Sequence, residues 1–192
     1  MKNFASTLLI LGACLAPNAW AADKDIHSET TLDSKADGTY KGSSTYEATD
    51  ASGAKVTSKI QEEESTTLLG KHKTQAKAET SRDPKGLGNK SWAKGETTAT
   101  SDAHGNLKRE TKAKSVDSAG TLRKSDENTK TVVKGNGASE TTYSKEMETD
   151  PKGLMNKSTA KVEETTKRAA DGSSTRVVKK EVDGKVVEET VH

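Results

Sequence analysis

One twelve-residue phrase occurs twice in this chain. Asp83-Pro84-Lys85-Gly86-Leu87-Gly88-Asn89-Lys90-Ser91-Trp92-Ala93-Lys94 returns as Asp150-Pro151-Lys152-Gly153-Leu154-Met155-Asn156-Lys157-Ser158-Thr159-Ala160-Lys161, identical at ten of twelve positions. The second copy begins at position 150 and the first at position 83, an offset of 67. A match this dense marks an internal duplication, which restricts the fold to architectures that grow by adding units. At the same offset Gly38, Gly105 and Gly172 fall in register, as do Gly53 with Gly120 and Gly70 with Gly137. The retained positions are mostly turn formers. The chain therefore divides into repeat units at 38–104 and 105–171 and a truncated third unit at 172–192. A polar leader, 22–37, precedes them.

What the units can enclose is limited by composition. Apolar residues make up 29% and aromatic residues 3% of the chain, and the segment Met1–Ala21 holds a disproportionate share of both. Beyond it the large rings are Tyr40, Tyr46, Trp92 and Tyr143. Ordering a backbone costs about 1–2 kcal/mol per residue. A fully buried large apolar side chain returns only about 1.5–3 kcal/mol, so these few cannot supply one central core. Charges of both signs alternate along the chain and leave a net charge of +2. Nucleic-acid binders instead gather Lys and Arg into a basic patch with stacking aromatics, so no nucleic-acid partner is expected.

The N-terminus reads as an export sequence. Met1-Lys2-Asn3 is a basic start, Phe4–Ala16 an apolar stretch, and Ala19-Trp20-Ala21 a small-x-small cleavage site, with the mature chain beginning at Ala22. Residues 1–21 are then a signal peptide, too short in its apolar part for a permanent membrane anchor. Leu11-Gly12-Ala13-Cys14 also resembles a bacterial lipoprotein signal, and lipidation at Cys14 is the competing reading. Cleavage after Ala21 removes the single cysteine and with it any disulfide or thiol nucleophile. The expected location is periplasmic or secreted, with no integral membrane segment after cleavage.

Turn formers recur along the rest: Asp37-Gly38, Asp50 to Gly53, Asp83 to Gly86, His104-Gly105, Asp117 to Gly120, Asn136-Gly137, Asp150 to Gly153, Asp171-Gly172 and Asp183-Gly184. Gly supplies positive φ, Asp and Asn bond locally, and Pro presets φ at a second turn position. Between the turns, Thr and other β-branched residues favour strands. Alternation places Tyr40, Ser44, Tyr46 and Ala48 on one parity, as it does Val56, Ser58 and Ile60. The sets Leu107, Arg109, Thr111, Ala113 and Tyr143, Lys145, Met147 behave alike. The segment Arg176–Val191 reads as a hairpin on a type I′ turn at Asp183-Gly184. With Val182 opposite Lys185, one face would carry Val178, Val182, Val187 and Val191; the other would pair Lys179 with Glu188 and set Glu181 beside Val186. Lys/Glu-rich Ser158–Ala170 could instead form helical turns, with Lys161 and Glu164 as a local ion pair.

No reactive constellation emerges. His27, His72, His104 and His192 lack metal-ligand spacing, and the Asp-x-x-Gly turns lack the ligand sequence of a calcium loop. Gly86-Leu87-Gly88 follows no apolar strand, no Gly-x-Ser-x-Gly elbow occurs, and Glu62-Glu63-Glu64 has no apolar pocket to split its pKa values. No catalytic residue, cofactor or metal is expected. Trp92, replaced by Thr159 in the second copy, is a possible partner contact; otherwise it packs against a neighbouring turn.

Two architectures remain open. The first is an all-β, low-core repeat of hairpins forming an extended thin sheet, with Thr ladders and Lys–Glu pairs in place of a core. It would serve as a non-enzymatic structural or interaction protein of a bacterial-type envelope with an unknown envelope or extracellular partner. The second is a largely disordered hydrophilic chain, whose bulk composition looks like that of stress-protectant proteins.

Overall fold

A computed structural model describes residues 24–50, 52–86, 90–153 and 157–192. The export sequence, its cleavage site and Cys14 lie outside the described residues. Every regular element among the described residues is a strand. In chain order they are β1 (Lys24–Ser34), β2 (Tyr40–Thr49), β3 (Lys55–Thr66), β4 (His72–Asp83), β5 (Ser91–Ser101) and β6 (Leu107–Val116). They continue as β7 (Leu122–Val133), β8 (Ser139–Asp150), β9 (Ser158–Arg168), β10 (Ser174–Val182) and β11 (Lys185–Val191). All eleven form one antiparallel sheet in which spatial order equals chain order. The extended thin sheet is therefore the architecture. Ser158–Arg168 is strand, and Lys161 meets Glu163 along it at 2.8 Å.

One repeat period is the length of four strands. Strands β2, β3 and β4 begin at 40, 55 and 72, and β6, β7 and β8 at 107, 122 and 139. Strands β5 and β9 keep the same offset, and so does β1, since Lys24–Ser34 stands one period ahead of Ser91–Ser101. The stretch read as a polar leader thus contains a strand equivalent to the fourth of each unit. Its Thr and Ser, like those of β5, extend readily on a pleated surface.

Seven connections share one geometry. In the turns beginning at Lys35, Asp50, Thr67, Asp102, Asp117, Lys134 and Ala169, the first N–H donates to the fifth carbonyl. The N–H of a glycine in fourth place donates back to the first. Those glycines have φ between 72° and 89°, the left-handed residue that closes a three-residue hairpin loop. Where Asp comes first, its carboxylate joins in: Asp117 Oδ1 accepts the N–H of Ala119 at 3.0 Å and of Thr121 at 2.9 Å. The two Asp-Pro-Lys-Gly reversals also place Gly86 and Gly153 at positive φ, 98° and 77°.

Strand pairing sorts the side chains onto two unlike faces. Cross-strand register brings Tyr46 opposite Ser58, Ala48 opposite Val56, Leu107 opposite Thr131 and Tyr143 opposite Thr129. All four alternating sets recognised in the sequence share this face. It also carries the buried Ala48, Ala76, Ala78, Thr97 and Val178. On the opposite face ion pairs cross between strands, such as Lys41–Glu63 at 3.2 Å and Lys124–Glu148 at 2.9 Å. No large side chain among the described residues is fully buried. Hydroxyl ladders stand where a core would be: Thr97–Thr111 at 3.1 Å and Thr131–Thr141 at 3.0 Å on the small-residue face, Thr57–Ser81 at 2.7 Å on the other. Each cross-strand pair is worth about 0.2–1 kcal/mol, so stability accumulates along the sheet.

The final hairpin corrects one expectation. Asp183 and Gly184 both take positive φ, 49° and 75°, as a type I′ turn requires, and Val182 lies opposite Lys185 and Glu181 opposite Val186. A bulge then shifts the register between Lys180 and Glu181. Lys180, not Lys179, meets Glu188, at 2.7 Å, and Val177 rather than Val178 comes near Val191. Shifting one strand by one residue exchanges the faces of everything beyond the bulge. The expected valine face is therefore split: Val178 and Val182 keep one face, Val191 joins Val177 on the other, and of the four valines Val178 alone is buried.

Candidate functional site

The site is built on the charged face, around β5. Trp92 is the second residue of that strand, with Ser81 of β4 and Val116 of β6 directly opposite. It packs between strands and is half-buried, leaving part of the indole in a groove of about 520 Å³. Thr57, Lys59, Glu79, Lys90 and Lys94 line the groove with it. The Lys114 ammonium of β6 lies 5.8 Å from the centre of the indole ring, within cation–π range.

One cross-strand row beside Trp92 is unusual. Lys94 on β5 is opposite Lys114 on β6, and Lys114 is opposite Lys124 on β7. The outer two are neutralised: Lys94 meets Glu79 at 3.0 Å, and Lys124 meets Glu148 at 2.9 Å. Glu148 also takes Lys157 at 2.8 Å, and first Lys157 and then Lys124 hold its carboxyl below the ordinary range. Lys114 forms no salt bridge among the described residues. Like charges directly opposite across strands oppose pairing, so this row is not explained by sheet stability.

The reading of Trp92 as a possible contact residue thus meets a surrounding that sequence reasoning missed. Lys94, Lys114 and Lys124 lie far apart in the chain, and register brings them together. A trace was available in the duplication. One repeat period to either side of Lys114 stand Glu47 and Glu181, so this lysine reverses the charge found in both equivalents. In the third unit Glu181 stands opposite Lys161, an attractive pair.

Other polar groups have evident structural work. Asp50 is buried, 6% exposed. Its Oδ1 accepts the N–H groups of Ser52 and Ala54, and its Oδ2 takes Arg82 Nε at 3.0 Å and Nη2 at 2.7 Å. The Ser52 hydroxyl, then the Arg82 guanidinium, hold this carboxyl far below the usual range. In the second unit Asp117 receives Arg123 instead, at 2.9 Å. Each copy thus supplies an arginine to the same turn aspartate from a different strand, since Arg82 corresponds to Thr149 and Arg123 to Val56.

On the small-residue face a hollow of about 400 Å³ is lined by Thr97, Arg109, Glu127, Lys145 and Met147, among others. Arg109 Nε is buried there without a hydrogen bond among the described residues. Burial, then the charge of Glu127, push the Tyr143 phenol up. The histidines are dispersed over β1, the start of β4, the 102–106 turn and the C-terminus, and His72 Nδ1 bonds Thr66 at 2.9 Å. Among the described residues no three His, Cys, Asp or Glu side chains form a group able to hold a metal. No helix there is long and apolar enough to cross a membrane.

These features define a class: an antiparallel β-meander that adds four strands per repeat, with a partly buried indole and a lysine row on its charged face. In comparisons with known proteins the chain matches no family model, no curated sequence and no solved structure.

Proposed function

We propose that this chain is an exported, non-enzymatic structural or interaction module of a bacterial-type cell envelope, acting through the surfaces of its sheet. One observation carries the reading: the copies keep turns and strand positions while chemically distinctive side chains change. Gly53, Gly70 and Gly86 recur at positive φ as Gly120, Gly137 and Gly153. Trp92, Arg82 and Lys114 have Thr159, Thr149 and Glu181 as their counterparts. A duplicated catalytic centre would retain its reactive groups and let the scaffold drift. The export part rests on Met1–Ala21, with the N-terminal pattern described above.

Mass spectrometry of the protein recovered from periplasmic and culture fractions tests the location. The expected first residue is Ala22; an intact Met1, or a lipidated Cys14 as first residue, refutes it. The non-enzymatic part fails if a hydrolytic or metal-dependent activity co-purifies with the protein and a single side-chain substitution abolishes it.

A further inference from the structure

We propose that Trp92 and the row Lys94, Lys114 and Lys124 form a docking site for an acidic polysaccharide, a sugar chain bearing carboxylate or sulfate groups. The proposal rests on the envelope reading above for where such a polymer is met. Its geometry stands separately.

Two departures from the internal repeat fall in contact. Trp92 replaces the residue type of Thr159, and Lys114 replaces that of Glu47 and Glu181. The ammonium of the second lies over the ring of the first at 5.8 Å. Elsewhere the same sheet position is electrostatically satisfied: Glu47 meets Lys55 at 3.2 Å and Glu181 meets Lys179 at 2.7 Å. Lys114 faces Lys94 on one side and Lys124 on the other. On its own strand Lys112 is opposed by Glu96 and Asp126, and so is compensated. Lys114 is the one member of the row with neither a carboxylate opposite it nor a salt bridge among the described residues.

An anion placed over Lys114 would relieve the repulsion along the row. The exposed part of the indole offers an apolar plane for the C–H face of a sugar ring. Strand spacing of about 4.8 Å spreads the three ammonium groups over roughly 10 Å, so more than one sugar is engaged. The rim decides between polyanions. Glu79, Glu96, Asp126 and Glu148 ring the lysines on the same face. A DNA strand, whose phosphodiester backbone has no hydroxyl to donate, would run against these carboxylates. An acidic polysaccharide carries hydroxyls beside its charges, which donate hydrogen bonds to them.

The test uses the full chain with Trp20→Phe, leaving Trp92 as the sole indole. Polygalacturonate, heparin, dextran and poly(dT) are titrated against it by fluorescence and by affinity electrophoresis. Both acidic polysaccharides are expected to perturb Trp92 emission and bind with an affinity that falls with salt, and dextran is not. Lys114→Glu should weaken binding by about tenfold or more, as loss of one charge-assisted contact would. By electrophoresis Trp92→Thr should weaken it too. Lys130→Glu makes the same charge change on β7, roughly 20 Å along the strand from Lys124, and should change affinity less than about twofold. Lys114→Glu should also raise the thermal midpoint, since it restores opposite charges in the row, and Lys114→Gln provides a second variant if it does not fold. Equal losses for Lys130→Glu and Lys114→Glu, unchanged binding by Trp92→Thr, or tighter binding of poly(dT) or dextran overturns the proposal. Absence of polysaccharide binding with Ala22 confirmed as first residue overturns the site and leaves the export reading intact. Intact Met1 with specific binding does the reverse.

Discussion

At Asp50 a single carboxylate closes a turn, accepts two backbone N–H groups and receives Arg82 from β4. Asp102 and Asp117 repeat the turn bonds and are likewise held below the ordinary carboxylate range. The first cause is the Asn106 side chain for Asp102 and the Thr121 N–H for Asp117. Because the folded pKa values lie below the unfolded value of about 3.9, the stabilisation is present above that pH and is lost as pH falls through the folded values. Thermal melts should therefore keep a steady midpoint from pH 7 to 5 and lose it progressively below about pH 4. Asp50→Asn should lower the midpoint at pH 7 and shrink the acid-induced fall; an unchanged fall would show that other groups control it. Gly120 offers a second residue-scale test. Its φ is 86°, and an added Cβ would stand 2.6 Å from Lys152 Cδ, whose stem crosses the neighbouring turn. Gly53 and Lys85 repeat this approach at 3.3 Å in the first unit, which gives the lysine of Asp-Pro-Lys-Gly a packing role. Gly137 has a similar φ of 82° and open space around it. Gly137→Ala should cost about 1–2 kcal/mol of left-handed strain, and Gly120→Ala distinctly more, by urea denaturation.

Within the elements, register determines which charges meet. The bulge in the final hairpin joins Lys180 to Glu188 at 2.7 Å, with both side chains nearly half exposed. A double-mutant cycle on Lys180 and Glu188 should give a coupling of about 0.2–1 kcal/mol, as exposed pairs do. The same cycle on Lys179 and Glu188 should give none, since Lys179 stands opposite Glu189. The opposite result would restore the unbulged pairing. Both sheet edges have such irregularities: β1 shifts register between Lys24 and His27, and β10–β11 between Lys180 and Glu181. Bulges and charges at edges discourage pairing with another chain. Here Glu29 and Asp33 on β1, and Glu188 and Glu189 on β11, make both edges acidic.

Among the described residues, extensive packing occurs only between strands adjacent in the chain. Stability in such an array is close to a sum of unit and neighbour terms. Excision of residues 105–171 removes β6–β9 and leaves β10, which occupies the same place in the repeat as β6, to pair with β5. A folded sheet of seven strands is expected, narrower by about 19 Å at the usual strand spacing, with a smaller denaturant m-value. Small-angle scattering and urea melts check this. A collapse to an unfolded profile would show instead that β6–β9 contribute stability the other strands cannot replace.

The sequence by itself determined the alternation, the repeat period and every turn except the one from Thr67 to Lys71, because each depends on a few neighbouring residues; the all-β sheet stood in it beside a disordered alternative, which only strand pairing decided. Asp, Asn and Gly at set spacings impose chain reversals whatever lies elsewhere, and Thr-rich stretches between them extend. The tertiary structure alone decided what those strands bring together. Asp50 with Arg82, Thr97 with Thr111, and Lys94 with Lys114 and Lys124 are contacts of register, set by where each hairpin closes. The hairpin bulge lay beyond the sequence for the same reason: the gain from seating Lys180 on Glu188 is visible only once both strands are paired. Trp92 stood out in the sequence as a single unusual residue. Its groove, and the uncompensated lysine over its ring, exist because strands β3 to β6 lie side by side.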